Sequence, residues 1–452
     1  MSLNFVNSFV ISTCKLWNHF ARFKECRISE SYYGYFPDSF DIKTSAANND
    51  EFILHLDELG SKFSNQNFIQ INKYDLTVVG SYMNTQAMYY LHLPERNIFI
   101  FFNDLVLAKN VLQTINVEVE YRAETNNPNL NFFNNIHRLL YSEKLLVSFQ
   151  DGKLTVDKER FSDILLQDEK EYSFEDAKHN FYNVLFDRTK QLTEGIDNLC
   201  ISLSGGIDSG TIAYILKELG KNIYAFTLST DWGNEYKEAK ETADFLGIKL
   251  EKIEVQSKEI VVEFSNVIRY FTFIDHTPIE IALVAHSIYR KIRNILGKNI
   301  IFCSGYGSDL LNAGLYTPFT EYNELKLEIK SGLRKTQFSN EFSNLAAYDM
   351  GIKPLHPFWD SEVIQEALKI PARYKVVNNQ DKYFFRSKME EKFPHSIAWR
   401  TKKGAHLGTG IGYHLRNLLE STYRQNNNNI SFQEIIKEIH RNIFLHGKKY
   451  NI

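Results

Sequence analysis

The most informative stretch for chemistry is LSGGIDSG, from Leu203 to Gly210, between an apolar strand-like segment and a segment of helical periodicity. Adjacent glycines let the backbone turn sharply and bring N–H groups against phosphate oxygens, while the following helix presents its positive N-terminus. Asp208 suits a phosphate site only if a divalent cation lies between them, so we interpret it as a Mg²⁺ ligand. The candidate phosphate-binding residues are Leu203, Ser204, Gly205, Gly206, Asp208 and Ser209.

Other nucleotide and catalytic motifs do not occur in the sequence. Without GxxxxGK[ST], a Walker-type γ-phosphate transferase is disfavoured. The glycine-rich segment 408–414 lacks the flanking strand and helix of a dinucleotide fingerprint, and no HExxH motif occurs. An ordinary glycine turn is the structural alternative for the loop, and the placement of its Ser and Asp residues argues against it.

The hexapeptide SGGIDS at 204–209 resembles the pyrophosphatase-type loop of asparagine synthetase-like enzymes. Those enzymes cleave ATP between its α- and β-phosphates and activate a carboxylate as its adenylate. The resemblance covers about 170–420 of the sequence and implies ATP and Mg²⁺ as cofactors. By itself the loop leaves argininosuccinate, guanylate and NAD synthetases open, and later motifs narrow the choice.

A second acidic motif, CSGYGSDLLNAG, runs from Cys303 to Gly314 after another apolar strand. It resembles the family segment in which a Gly-x-Gly turn precedes a metal-binding Asp, and this assigns Asp309 as a metal ligand. Asp208 and Asp309 would then follow the carboxyl ends of two strands, where open parallel sheets bind ligands. Either residue alone could instead cap a helix.

Tyr306 and Glu341 narrow the resemblance to the β-lactam synthetase and carbapenam synthetase branch. Those enzymes pair a Tyr in the GYGSD turn with a Glu about 35 residues onward, and NEFS and HPFWD lie in similar register here. A phenol titrates near ~10, but a hydrogen-bonded carboxylate can orient it and accept its proton. The pair is therefore a candidate base for an amine, with simple packing as the alternative.

Two lysines complete the candidate machinery. The segment WRTKKGAHLGTG resembles the Arg-x-Lys-x-Gly segment that supplies the family's catalytic lysine, which assigns Lys402, with Lys403 as the competing choice. An ammonium here would neutralise charge developing on the acyl oxygen and the adenylate phosphate. The weaker match of QDKYFFRSKM makes Lys382 and Arg386 candidates for contacting pyrophosphate or a substrate carboxylate.

Further site residues are assigned with less support. By the resemblance, Leu228 and Ser229 flank adenine, and Glu280 faces the substrate, where it would suit an amine. Glu235 follows a loop close to the nucleotide, and capping or dipole compensation is the rival explanation for both acids. The weak substrate-binding candidates are Glu280, Glu235 and Gly305.

Periodicity predicts the elements that position these residues. Before residue 160 the pattern is short and alternating, which predicts strands at 67–71, 76–83, 97–102, 117–123 and 145–149. From Ser173, SFED resembles a capping box, and helices then alternate with strands at 199–203, 222–228, 249–254 and 299–303. We predict an α/β fold with a doubly wound parallel sheet, preceded by a smaller strand-rich sandwich.

Length also favours two domains, since 452 residues exceed the usual size of a single core. We place them at 1–165 and 166–452. The first is expected to be a reduced amidotransferase-like domain without glutaminase activity, because the sequence begins Met-Ser where that activity needs an N-terminal Cys. A structural or dimerisation role is expected, so a homo-oligomer stays open.

Composition limits the class of partner. The net charge of −3 gives no basic field for nucleic acid, and the four cysteines have no zinc or disulfide spacing. No signal peptide and no run of 18 uncharged apolar residues is evident, so we expect a cytoplasmic protein without a membrane partner.

The function that the resemblance implies is an ATP- and Mg²⁺-dependent, AMP-forming carbon–nitrogen ligase. A substrate carboxylate is adenylated, pyrophosphate leaves, and an amine of the same molecule closes an amide, as in β-lactam synthetases. The alternatives are a lasso-peptide-type macrolactam cyclase, an intermolecular ligase that uses a free amine, and a non-catalytic nucleotide-binding protein. The expected partner is a small amino-carboxylate substrate or a peptide.

Overall fold

The computed structural model describes most of the chain from residue 9 to residue 447. The described residues are 9–16, 23–29, 31–37, 52–55, 68–81, 86–122, 132–271, 275–315, 321–339, 341–401, 403–424 and 430–447.

The N-terminal part contains two antiparallel sheets. Its strands and helix are β1 Val10–Ser12, β2 Phe23–Arg27, β3 Tyr33–Pro37, β4 Phe52–His55, β5 Phe68–Ile71, β6 Asp75–Val79, β7 Met88–Leu93, β8 Ile98–Phe102, α1 Ala108–Thr114, β9 His137–Leu139, β10 Glu143–Gln150 and β11 Lys153–Arg160. The strand orders are β2-β3-β1-β8-β7-β9 and β11-β10-β6-β5-β4. Short 3₁₀ helices occur at Pro94–Arg96, Leu105–Leu107, Ile164–Leu166 and Pro357–Trp359.

Alternation along these strands builds a sandwich. Phe99 and Phe101 of β8 and Val78 of β6 are fully buried and belong to one core cluster that takes side chains from both sheets. The predicted strand-rich sandwich is therefore present.

The predicted strand at 117–123 is wrong. Residues 117–120 form no strand, and Tyr121 makes only an isolated bridge to Phe133. Val117 and Val119 are partly buried against the core, so the alternating pattern reflects an extended chain packed on that core and not a ladder of strand hydrogen bonds.

The C-terminal part alternates strands and helices. Its elements are α2 Phe174–Leu192, β12 Asn198–Ser202, α3 Ile207–Glu218, β13 Asn222–Thr230, α4 Tyr236–Leu246, β14 Leu250–Val255, α5 Ser257–Ile268, α6 His276–Leu296, β15 Ile300–Cys303, α7 Ser308–Leu311, α8 Tyr322–Ser339, α9 Asn344–Asp349, β16 Ile352–Leu355, α10 Ser361–Lys369, α11 Ala372–Lys375, α12 Tyr383–Glu390, α13 His395–Ala398, α14 Ala405–Gly408, α15 Ile411–Arg424 and α16 Phe432–His446.

Five of these strands form a parallel sheet in the order β14-β13-β12-β15-β16. One core cluster joins one face of the sheet to α5, α6, α15 and α16, and a second joins the other face to α2, α3, α4 and α12. Helices thus cover both faces, and the predicted doubly wound α/β fold is confirmed. In the described part of the chain, no helix combines the length and apolar character that crossing a membrane requires.

The C-terminal helix α16 joins the two parts through a buried imidazole. His440 Nε2 lies 3.1 Å from the Phe271 carbonyl oxygen, and its Nδ1 lies 2.5 Å from the Tyr121 hydroxyl. A carbonyl only accepts, so Nε2 carries the proton and the Tyr121 hydroxyl donates to Nδ1. Burial lowers the pKa of His440 to about 3, which keeps the ring neutral at pH 7.

Replacing Tyr121 by Phe should lower the free energy of unfolding by about 1–3 kcal/mol, because the buried His440 Nδ1 would lose its donor. Urea-induced unfolding at pH 7 measures this change. The control is Tyr413→Phe, whose side chain is 63% exposed and whose effect should stay within about 0.5 kcal/mol. Equal, small effects of both substitutions would show that the hydrogen bond does not stabilise the fold.

Candidate active site

The strand order creates the crevice that holds the candidate site. After β12 the chain builds β13 and β14 on one side of the sheet, and it then builds β15 and β16 on the other side. In open α/β sheets, ligands bind at such a switch point, outside the carboxyl ends of the strands. Asp208 follows β12 and Asp309 follows β15, so these acidic residues border the crevice from neighbouring strands.

The predicted phosphate loop is the tight connection from β12 to α3. Ser209 Oγ lies 3.2 Å from both the backbone nitrogen and the Oγ of Ser204, which closes the turn. Gly205 has a φ of +73°, and a Cβ there would lie 2.5 Å from Glu238 Cβ of α4. Gly206 is the extended N-cap of α3, and no described side chain caps that helix. This arrangement suits an anion at the helix N-terminus.

Arg400 ties the segment before Lys402 to this loop. Its Nη1 donates to the carbonyl oxygens of Gly205, at 2.6 Å, and Glu238, at 2.9 Å. Lys402 itself lies outside the described residues, two positions after this anchored arginine. Lys403 is exposed. The catalytic role of Lys402 stays a prediction.

Arg386 makes hydrogen bonds within the chain, and its considered contact with pyrophosphate or a substrate carboxylate stays a prediction. It is almost completely buried, and its Nη1 donates to the carbonyl oxygens of Ala398 and Arg400, at 2.9 and 3.0 Å. Its Nη2 lies 3.3 Å from Asp381. The guanidinium therefore supports the backbone of the segment that carries Arg400.

Lys382 contacts both Asp208 and Asp309 at this switch point. Its Nζ lies 2.7 and 2.6 Å from the two carboxylate oxygens of Asp208 and 2.6 Å from Oδ1 of Asp309. The lysine is fully buried and has a φ of +55°, a left-handed conformation that costs a non-glycine residue about 1–2 kcal/mol. The surrounding structure thus holds a strained residue so that one ammonium meets both carboxylates.

Neighbouring residues fix this arrangement. The Ser308 hydroxyl donates to Asp208 Oδ1 at 2.5 Å, and the Asn312 side-chain amide donates to Ser308 Oγ at 3.0 Å. A Cβ on Gly314 would overlap both the Lys382 side chain and Oδ1 of Asp309. These contacts give structural roles to Ser308, Asn312 and Gly314, three residues of the motif that begins at Cys303.

The residues present fit a divalent cation. Oxygens of Asp208 and Asp309 converge on a single nitrogen, so they can also reach a single metal ion, and carboxylates are ligands that Mg²⁺ prefers. Among the described residues, no group of three or more His, Cys, Asp or Glu side chains could hold a metal ion. A Mg²⁺ ion here would take its remaining ligands from phosphates and water, as is usual for this metal.

Gly305 has a packing role beside the same crevice. A Cβ on this residue would lie 2.7 Å from the backbone nitrogen of Ser209 and 2.9 Å from Asp208 Cβ. The glycine therefore allows the turn after β15 to approach the start of α3. A substrate contact for Gly305 stays a prediction.

Tyr306 and Glu341 form a second, largely apolar group in the crevice. The Tyr306 ring lies 4.3 Å from the ring of Phe342 and 5.3 Å from that of Trp359. Burial and the charge of Glu341 hold the pKa of Tyr306 well above its usual value. Burial also raises the pKa of Glu341 to about 7. The carboxylate is therefore the group that can change protonation near neutral pH.

Ser339 lies beside this pair and was not assigned from the sequence. Its hydroxyl lies 2.8 Å from Glu341 Oε1, and hydrogen bonding to Ser339 lowers the pKa of both Glu341 and Tyr306. Ser339 therefore belongs to the same group of side chains as Tyr306 and Glu341.

The weaker acidic candidates face the segment that follows Lys402. Glu280 is buried at the start of α6, and a Cβ on Gly412 would lie 3.2 Å from its Oε2. Burial and the charge of Asp275 raise the pKa of Glu280 to about 7, and Asp275 also raises the pKa of Glu341. Glu235 lies against Gly408, where a Cβ would lie 2.5 Å from its carboxyl carbon.

Leu228 and Ser229 lie near the carboxyl end of β13, where both are buried. Leu228 packs in the apolar core, and Ser229 forms an isolated bridge with Asn234. Their predicted contact with adenine stays a prediction. Nearby, the Thr230 hydroxyl donates to the Thr409 carbonyl oxygen at 2.6 Å, so the glycine-rich segment 408–414 packs on the loop after β13.

Sequence reasoning missed two buried basic groups around this site. His356 Nδ1 lies 2.8 Å from Ser304 Oγ, its ring lies 5.4 Å from that of Tyr306, and its buried Nε2 has no hydrogen-bond partner among the described residues. Lys375 donates to the carbonyl oxygens of Leu311 and Ala367, and burial lowers its pKa to about 7. The position of His356 within HPFWD is the sequence signal that could have identified it as a site residue.

Two curated proteins and one solved structure are similar to this chain. The chain is 26% identical over 221 residues to carboxyethyl-arginine beta-lactam-synthase of Streptomyces clavuligerus, covering 49% of this chain and 42% of that protein. It is 25% identical over 235 residues to asparagine synthetase [glutamine-hydrolyzing] 1 of Lotus japonicus, covering 47% and 39%. The chain thus spans less than half the length of these two relatives. An NMN synthetase structure from Francisella tularensis matches with 16% identity, covers 62% of this chain and 98% of that one, and has a TM-score of 0.30.

The family match is broader than these pairwise similarities. Residues 189–350 and 339–442 match the family described as asparagine synthase, and together they span more than half of the chain. The matched range contains the phosphate loop, the second acidic motif and the Arg400 segment. The chain belongs to the asparagine synthase family.

Proposed function

We propose that this protein is an ATP- and Mg²⁺-dependent, AMP-forming carbon–nitrogen ligase that adenylates a substrate carboxylate and passes the acyl group to an amine. The observation that carries the proposal is the meeting of Asp208, Asp309 and Lys382 beside a phosphate-type loop at the switch point of the sheet. Membership of the asparagine synthase family supports the same reaction class.

In the first half-reaction, the loop at Gly205 and Gly206 and the N-terminus of α3 bind phosphate oxygens. A carboxylate oxygen of the substrate attacks the α-phosphorus. The bond between the α-phosphorus and the oxygen that bridges it to the β-phosphate breaks, and pyrophosphate leaves with that oxygen. Asp208 and Asp309 would hold Mg²⁺, which would supply charge neutralisation at the phosphates. The Lys382 ammonium is a further donor for the pyrophosphate.

In the second half-reaction, the amine nitrogen attacks the acyl carbon and AMP leaves with the bonding electron pair. The amine proton passes to the Tyr306 oxygen while the phenolic proton passes to Glu341, so the carboxylate ends the step protonated. Its pKa of about 7 is suited to this role near neutral pH. Lys402 is proposed to neutralise the charge on the acyl oxygen.

We further propose that the amine and the carboxylate belong to one molecule. The name of the Streptomyces relative describes a β-lactam synthase, and the pairing of Tyr306 with Glu341 favours the same branch. Ring closure within one bound molecule removes much of the entropic cost of joining two reactants. Buried Glu280 suits an amine-bearing substrate. The alternatives are a peptide macrolactam cyclase and an intermolecular ligase.

The N-terminal sandwich at 1–165 is proposed to be structural, without glutaminase activity. Buried Arg269 of the following part donates to Asp104 at 2.7 Å and lies 3.7 Å from Asp349. These contacts link the sandwich to α9, close to Glu341, and would help to position the base.

Turnover should convert ATP to AMP and pyrophosphate in equal amounts, because the loop and Lys382 suit a pyrophosphate leaving group. A screen of amino-carboxylates, with both products quantified by chromatography, tests this. Asp208→Asn should lower turnover at least about 100-fold by removing a carboxylate from the phosphate site. The control is Asp244→Asn on the exposed face of α4, which should keep normal turnover. Stoichiometric ADP and phosphate would contradict the proposal.

The rate of amide formation should fall as the pH is lowered through about 7, because Glu341 must be ionised to accept a proton. Glu341→Gln should lower kcat by about 10²–10⁴-fold and remove this dependence. Ser339→Ala should move the pH limb upward, since hydrogen bonding to Ser339 lowers the Glu341 pKa.

Ser421→Ala, on the exposed face of α15, is the control for that shift. Single-turnover kinetics with preformed acyl-adenylate across pH 5.5–9 measure the limb. If Glu341→Gln kept both the rate and the pH limb, Glu341 would not be the base.

A further inference from the structure

The position of Lys382 has a consequence for how a metal ion can enter the site. Its Nζ lies within 2.6–2.7 Å of three oxygens that belong to Asp208 and Asp309. A Mg²⁺ ion bound to the same oxygens would lie about 2.0–2.1 Å from them. The ammonium and the ion would then be within about 5 Å of each other and would share the three oxygens that Lys382 contacts.

Several contacts keep the ammonium in this position. Gly314 leaves the space that the lysine side chain fills, and α12 begins directly after Lys382. Asp381, the acidic residue next to Lys382 in sequence, is paired with Arg386 at 3.3 Å. Among the described residues, Lys382 is therefore a cation that the fold holds beside both Asp208 and Asp309.

We propose that Lys382 is a tethered counter-cation, which occupies the divalent-metal position between Asp208 and Asp309 until nucleotide phosphates draw the ammonium away. This inference rests on the proposed function, since it assumes that phosphates bind at the neighbouring loop. The carboxylates stay paired in the free protein, and metal alone cannot bind without leaving a buried ammonium uncompensated. Metal and nucleotide therefore enter together.

This mechanism makes metal and nucleotide binding positively coupled. A phosphate group gives the ammonium a new partner, and the two carboxylates then need the charge that a divalent ion supplies. Such coupling is reciprocal and typically amounts to about 5–150-fold in affinity. Removing the ammonium should remove most of this coupling, because metal alone would then satisfy both carboxylates.

Electron paramagnetic resonance of Mn²⁺ tests the proposal without any turnover. The wild-type protein should bind Mn²⁺ alone at least about tenfold more weakly than in the presence of α,β-methylene ATP. Lys382→Met should bind Mn²⁺ alone at least about tenfold more tightly than the wild type does. The matched control is Lys388→Met, which removes another buried lysine of α12, one paired with Glu391 at 2.5 Å, and should leave Mn²⁺ binding unchanged.

If Lys382→Met does not fold without metal, Mn²⁺ should restore its thermal transition, because the ion supplies the missing charge. Adding Asp309→Asn should then let the double variant fold without Mn²⁺ and abolish the response to it. Lys382→Met that binds Mn²⁺ no better than the wild type, or whose folding Mn²⁺ does not restore, would overturn the proposal. These readouts need no substrate, so an error in the assigned reaction would leave them unchanged and would appear only in the product analysis.

Discussion

The ammonium of Lys382 allows two carboxylates to end at one point of a buried crevice. Like charges held this close disfavour each other's ionised form unless an opposite charge compensates them. Asp208 and Asp309 follow two different strands, and Lys382 is the residue directly before α12, far along the chain. Lys382 adopts a left-handed backbone conformation where it places its ammonium at that point. Residue 314 is glycine because a Cβ there would overlap the lysine side chain.

One turn of chain connects this charged group to the proposed base. Asp309 and Tyr306 lie three residues apart after β15, so the proposed sites for phosphate binding and for proton transfer are neighbours in the chain. Their surroundings differ. Asp309 lies against the Lys382 ammonium, whereas Tyr306 lies against aromatic rings and near the partly buried Glu341. We therefore propose that charge stabilisation for leaving phosphates and a poorly solvated base for an amine lie side by side.

Local pattern predicts the parallel sheet and its loops, because each buried strand is an apolar run followed by a helix of period 3.6. It misses β16, a short edge strand that contains Pro354. At residues 117–123 a strand is predicted that does not form. Alternating apolar residues show that one side of the chain is buried, and they do not show that the chain pairs with another strand. Lys382 was predicted as a contact for pyrophosphate or a substrate carboxylate. Its pairing with Asp208 was missed because it spans 174 residues and leaves no local signal. Ser339 has no local signal either.

The central claim is that Asp208, Asp309 and Lys382 form a single site for metal and triphosphate. A crystal structure of the full chain with Mn²⁺ and α,β-methylene ATP, with the ion located by its anomalous signal, tests it most directly. The account predicts Mn²⁺ bound to both carboxylates, the triphosphate on the loop at Gly205, and the Lys382 ammonium turned to a phosphate oxygen. Nucleotide bound elsewhere, or Mn²⁺ bound away from both carboxylates, would contradict it.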